Sequence, residues 1–168
     1  MPSASATPSA TVGLRPVGAD DTEFLFTLFA STRAEELATT GWNAAQQERF
    51  LRQQFAAQRQ AYEGNYPGAE FHVIVVAGRP AGRLYLHRRA QEIRVMDLAL
   101  LPEFRRRGIG TALLTDVLAE GERTGRPVTI HVEVFNPAQR LYHRLGFRPV
   151  ASNGVYQLME WTAATRDG

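Results

Sequence analysis

The chain has 168 residues, 44% of them hydrophobic, which is enough for one ordinary globular core. Nineteen basic residues, all arginine, face seventeen acidic ones for a net charge of +2; the acids are spread along the chain, so no continuous basic face for nucleic acid is evident. The absence of cysteine excludes disulfides, thiolate metal sites and a cysteine nucleophile, and no apolar run approaches the roughly eighteen residues that cross a bilayer.

Residues 1–11 are rich in Ser, Ala, Thr and Pro and lack the charged and apolar regions of a signal peptide, so a disordered tail and a cytoplasmic location are expected. Residues 12–163 are expected to form one domain and 164–168 a short C-terminal tail. Val12 to Val17 alternates apolar and polar residues and reads as a strand. Asp20 or Asp21 can cap a short amphipathic helix carrying Phe24, Leu25, Leu28 and Phe29 on one face. After Gly41, Asn43 is a good cap for a longer helix to about Tyr62, with Phe50, Leu51, Phe55 and Tyr62 on its apolar side and a glutamine-rich, solvated opposite side.

Asn65 to Gly68 reads as a turn. Glu70 to Ala77 and Arg83 to Arg88 read as strands joined through Gly78 to Gly82, and Glu92 to Leu101 is a third strand stopped by Pro102. A helix opens at Gly108 and runs to about Thr124, followed by a strand from Val128 to Phe135. Pro137, capped by Asn136, suits the first residue of another helix, which Gly146 ends. Val155 to Trp161 completes the pattern. An α/β layered domain around a mixed sheet follows, with the two strand-helix-strand passages of the C-terminal half expected to be crossovers.

The segment Arg105-Arg106-Arg107-Gly108-Ile109-Gly110 stands between a strand and a helix start. Unpaired backbone N–H groups and the positive end of the helix dipole gather there, glycines let an anion approach the backbone, and arginines add charge-assisted bonds. A phosphate site is the functional reading; a glycine-containing helix start with solvated arginines is the plain one. No Gly-Lys-Ser/Thr follows and no third glycine has dinucleotide spacing, so neither a Walker loop nor a dinucleotide fingerprint fits.

Three blocks together resemble the GNAT family of N-acetyltransferases: Leu98 to Leu114 (LALLPEFRRRGIGTALL), Asn136 to Tyr142 (NPAQRLY), and Gly146-Phe147. Trp42, Tyr66 to Phe71 and Asp97 to Leu100 further resemble a bacterial subgroup of unknown substrate. The resemblance implies a GNAT fold, a mixed sheet of about seven strands flanked by about four helices. It also implies acetyl-CoA as cosubstrate, direct attack by a primary amine of a small-molecule acceptor in a ternary complex, and a possible homodimer. In the family's pattern Arg105, Arg106, Arg107, Gly108, Ile109, Gly110 and Thr111 would hold the CoA pyrophosphate, chiefly through backbone N–H groups. Leu98, Ala99 and Leu100 would bond the pantetheine arm, as would Asn136, and one strand N–H would face the thioester carbonyl. Tyr142 would protonate the departing thiolate.

The group that takes the amine proton stays open among Glu70, His87, Asp97, His131 and Glu133. Arg94 stands close to where several family members carry a catalytic glutamate. His131 and Glu133 share a strand face, but two ligands do not make a zinc site, and no metal is expected. Trp42, Phe50, Tyr62 and Tyr66 would wall the acceptor pocket. A catalytically silent acyl-CoA-binding or regulatory module is the alternative function, and an acyl chain longer than acetyl also fits.

Overall fold

A computed structural model of the chain describes residues 11–134 and 136–163. The elements in order are β1 (Val12–Pro16), α1 (Thr22–Ala38), α2 (Ala44–Asn65), β2 (Glu70–Val76), β3 (Arg79–Arg88), β4 (Ile93–Leu100), α3 (Ile109–Thr124), β5 (Val128–Glu133), α4 (Gln139–Arg144), β6 (Arg148–Ser152) and β7 (Tyr156–Trp161). Single 3-10 turns stand at Ala19–Asp21 and Pro102–Phe104. The strands form one seven-stranded mixed sheet in the order β1-β2-β3-β4-β5-β7-β6, the α/β architecture expected. β4 and β5 run parallel, while β1–β2, β5–β7 and β6–β7 pair antiparallel. Apart from Thr11, the expected tails lie outside the described residues, as does Phe135. Among the described residues no helix is long and apolar enough to cross a membrane.

Several boundaries differ from expectation for local reasons. The first helix is not short: α1 has 17 residues, and Asp21 does not cap it through its side chain. Its carboxylate reaches backward, accepting the Gly18 N–H at 2.7 Å and both terminal nitrogens of Arg15 at 2.8 Å. The link between β2 and β3 is only Ala77-Gly78, with φ of 49° and 80°. Left-handed residues at both central positions match the twist of paired strands, so Arg79 to Gly82 belong to β3. Gly82 is needed there for proximity: a Cβ on it would collide with the Ala99 carbonyl oxygen.

The C-terminal half departs furthest. β6 is a strand the residue pattern conceals, because every residue of Arg148–Ser152 is exposed, Pro149 interrupts it and a register shift lies between Pro149 and Ala151. β5 and β6 both run antiparallel to β7 and so are parallel to one another, which makes the passage through α4 a crossover from β5 over β7 to β6, alongside the crossover β4-α3-β5. α4 starts at Gln139 rather than at Pro137. Asn136 instead closes a turn ahead of it, its Oδ1 accepting the Ala138 N–H at 2.8 Å.

By contacts the chain divides into two compact units. The first comprises the chain up to Asn65 with Phe71–Leu84 and Ala99–Arg105. Its core places Leu25, Phe26, Phe29 and Leu37 of α1 against Leu51 and Phe55 of α2. Phe55 meets the rings of both Phe26 and Phe29 at 5.7 Å, and each such buried side chain contributes about 1.5–3 kcal/mol. The second unit comprises Tyr66–Glu70, Tyr85–Leu98 and the chain from Arg106 onward. There α3 buries Ile109, Leu113, Leu114, Val117 and Leu118, and β5 and β7 bury Val128, Ile130, Val132, Met159 and Trp161. Arg88 ties this unit together, pairing with Glu120 at 2.7 Å and Glu70 at 2.6 Å, and Arg126 adds a second bond to Glu120 at 3.3 Å.

Candidate active site

Three local features stand at the positions the sequence singles out. The first is the parting of two parallel strands. Of eight residues in β4 and six in β5, only Ile93, Arg94 and Val95 pair with Val128, Thr129 and Ile130. Beyond Val95 the two strands share no ladder, and the half-buried residues Leu98, Ala99 and Leu100 lie on that stretch of β4, whose other edge is hydrogen-bonded to β3. One of its acceptors is already engaged: Arg105 donates Nε–H to the Leu100 carbonyl at 2.9 Å. Arg105 thus folds back onto the strand it follows.

The second feature is the start of α3. Gly108, at φ 78°, precedes the helix, and no side chain caps it. The first N–H turned back into the helix is that of Ala112, on the Gly108 carbonyl at 3.0 Å. The N–H groups of Ile109, Gly110 and Thr111 therefore stand at the positive end of a 16-residue helix without an intrahelical acceptor. Arg106 is left-handed as well, at φ 62°, a conformation that costs a non-glycine residue about 1–2 kcal/mol. Left-handed residues at 106 and 108 shape a backbone of the kind that gathers N–H groups around an anion. The Ile109 side chain is buried, so this residue offers only its backbone, whereas Thr111 is exposed.

The third is Tyr142 on α4, 4% exposed, its ring edge-on to Phe147 at 5.8 Å. Burial, and then the negative charge of Asp97, push its phenol up to about 12, so it remains protonated throughout the neutral range. A Cβ placed on Gly110 would lie 3.9 Å from both Leu98 and Leu141, so the strand end, the helix start and α4 converge at one point. Asn136 is exposed, and its Oδ1 accepts the Ala138 N–H.

The candidate bases stand in different settings. Glu70 is held by Arg88, and His87 accepts Arg89 Nε–H at 3.2 Å while meeting the Tyr66 ring at 5.9 Å. His131 lies 3.5 Å from Arg94, and burial together with that charge lowers its pKa. Arg94 itself is committed to Thr129 at 2.7 Å and Glu92 at 2.9 Å. Asp97 is the carboxylate whose charge reaches Tyr142. Among the described residues no group of three or more His, Asp or Glu could hold a metal. Sequence reasoning missed Gly82 as a support for the Ala99–Leu100 backbone and Phe147 as the ring against Tyr142. A glycine inside a strand is the signal that could have revealed the first.

These residues present a parallel pair that parts ahead of an uncapped helix start, and a buried phenol on the helix that follows. The family model described as an acetyltransferase (GNAT) domain matches residues 31–163, and the chain belongs to that family. Solved structures agree in fold. The PaiA N-acetyltransferase of Thermoplasma acidophilum, in complex with coenzyme A, has a TM-score of 0.68 at 18% identity over 90% of this chain and 99% of that one. An acetyltransferase of Thermus thermophilus gives 0.66 at 22% identity over 92% and 98%. A GNAT family acetyltransferase of Elizabethkingia anophelis with acetyl-CoA bound gives 0.56 at 17% over 93% and 99%. No match is found among the curated protein sequences.

Proposed function

We propose that the protein, through its 12–163 domain, transfers an acetyl group from acetyl-CoA to a primary amine of a small-molecule acceptor, by direct attack within a ternary complex. The observation that carries this reading is the uncapped start of α3 immediately after the unpaired end of β4. Acetyl-CoA is the cosubstrate. The N–H groups of Ile109, Gly110 and Thr111 take its pyrophosphate, with Arg106 and Arg107 adding charge around the Gly108 turn. Backbone groups of Leu98, Ala99 and Leu100 along the edge of β4 that has parted from β5 hold the pantetheine arm, with Asn136 beyond, and a β4 N–H stabilises the oxyanion. Arg105 contributes by fixing the strand end through the Leu100 carbonyl.

As the amine attacks, its N–C bond forms and the C–S bond breaks. Asp97, directly or through water, takes the ammonium proton, and Tyr142 gives one to the departing thiolate, so the net product is an amide and a free thiol. A small acceptor suits the acidic inventory. Asp21 is tied to Arg15 at 2.8 Å and Glu36 lies 3.7 Å from Arg33, so arginines already face these two carboxylates where a polycation would have to dock.

The test is thiol release from acetyl-CoA across a panel of aromatic and aliphatic amines, with Tyr142→Phe as control. Amine-dependent release with kcat about a hundredfold lower in the variant is expected. Acetyl-CoA raising the melting temperature without any turnover would identify a binding module instead, and no binding at all would remove the assignment of the loop.

A further inference from the structure

A separate feature lies on the exposed side of α2, within the first unit. Trp42 precedes the helix and keeps 39% of its surface in water. Its backbone is nevertheless fixed from both sides: its N–H donates to Thr40 Oγ1 at 3.2 Å, and its carbonyl accepts Gln47 Nε2 at 3.0 Å. Its ring stands edge-on to Phe50 at 5.1 Å. The indole is therefore an exposed aromatic surface in a set position, with little ordering left to lose on binding. Trp42 and Phe50, with Gln46, Arg49 and Gln53, line a shallow cavity of about 220 Å³. Drug-sized pockets run from about 300 to 1,000 Å³, so this one is sized for a single ring.

The charge around it is one-sided. Its lining contains no carboxylate. The neighbouring arginines of α2 are neutralised, Arg52 by Glu23 at 2.9 Å and Glu48 at 3.7 Å, and Arg59 by Glu63 at 3.4 Å. Arg49, by contrast, has no hydrogen bond or ion pair among the described residues. Gln46 uses its Oε1 to accept the Asn43 N–H, which turns the rest of its amide into a donor. An aromatic wall, a free planar guanidinium and amide donors together select a flat ring bearing a carboxylate and reject its cationic counterpart.

We propose that this cavity is a binding site for a monocyclic aromatic carboxylate, with the ring against Trp42 and the carboxylate on Arg49. It stands independently of the acetyl-transfer reading. The protein's two tryptophans make the test direct, because Trp161 is 1% exposed and silent towards a surface ligand. Intrinsic fluorescence of the full chain is titrated with phenylacetate, benzylamine and acetate. Saturable quenching by phenylacetate, with at least tenfold weaker responses to benzylamine and acetate, is expected. Arg49→Gln, an exposed change that leaves the fold intact, should weaken phenylacetate at least fivefold while Trp42 still reports. Equal responses to the anionic and cationic rings, an unchanged affinity in Arg49→Gln, or no saturable response to phenylacetate would each overturn the proposal.

Discussion

The starts of α2 and α3 solve the same problem in opposite ways. Any helix begins with backbone N–H groups that its own turns cannot satisfy. α2 closes its end internally: Asn43 Oδ1 accepts the Gln46 N–H and Gln46 Oε1 accepts the Asn43 N–H, both at 2.9 Å, a reciprocal box. α3 has glycine where α2 has asparagine, and no side chain reaches its first turn. The start that stability alone would favour is the closed one, by a few tenths of a kcal/mol over glycine. Leaving α3 open forgoes that gain and keeps three donors available to something outside the chain.

The sharpest way to break this comparison is to close α3. Gly108→Asp brings a carboxylate to the donors proposed for pyrophosphate. CoA affinity measured by calorimetry should fall by about a hundredfold, roughly 2.7 kcal/mol, while unfolding stability changes by less than about 1 kcal/mol because the left-handed strain and the new cap offset one another. Unchanged affinity would mean that the open end is incidental.

A third helix start gives an intermediate case. Ahead of α1, Asp21 is held near pH 2 by its bonds to Arg15 and the Gly18 N–H. A depressed carboxyl pKa stabilises the fold above the unfolded value near 4, and that contribution disappears as pH falls through about 2. Asp21→Asn should therefore cost about 1–2 kcal/mol in urea unfolding at pH 7, a figure reduced by the solvent around Arg15, and the gap to the parent should narrow below pH 4. The smallest effect belongs to α2: Asn43→Ala should lower stability by about 1 kcal/mol and leave CoA affinity unaltered. A loss of CoA binding in that variant would erase the distinction between the two helix starts.

Where the sequence carries periodicity or a cap, the fold is readable from it. The Asn43 cap, the apolar face of α3 and the stop at Gly146 all follow from residue type. The glycines and arginines of 105–110 announce an anion-accepting helix start in the same way. What was not legible depends on partners distant in the chain. β6 shows no alternation because neither of its faces is buried, and Gly82 looks like a turn glycine until Ala99 is beside it. The direction of the Asp21 side chain could not be read either, since a helix cap and a backward bond to Arg15 demand the same residue. The bond from Arg105 Nε–H to the Leu100 carbonyl was hidden from the residue pattern in the same way.

Every ion pair described above, from Arg15 with Asp21 to Arg88 with Glu120, is made by a guanidinium, and the chain has no lysine among its nineteen basic residues. A guanidinium keeps its proton at any physiological pH and so has no free lone pair to offer an activated acyl group, whereas an ε-amine does. A fold of this class works in the constant presence of a reactive thioester. With arginine in every basic position, its scaffold carries no side-chain amine that could compete with the acceptor or lose its charge to stray acylation.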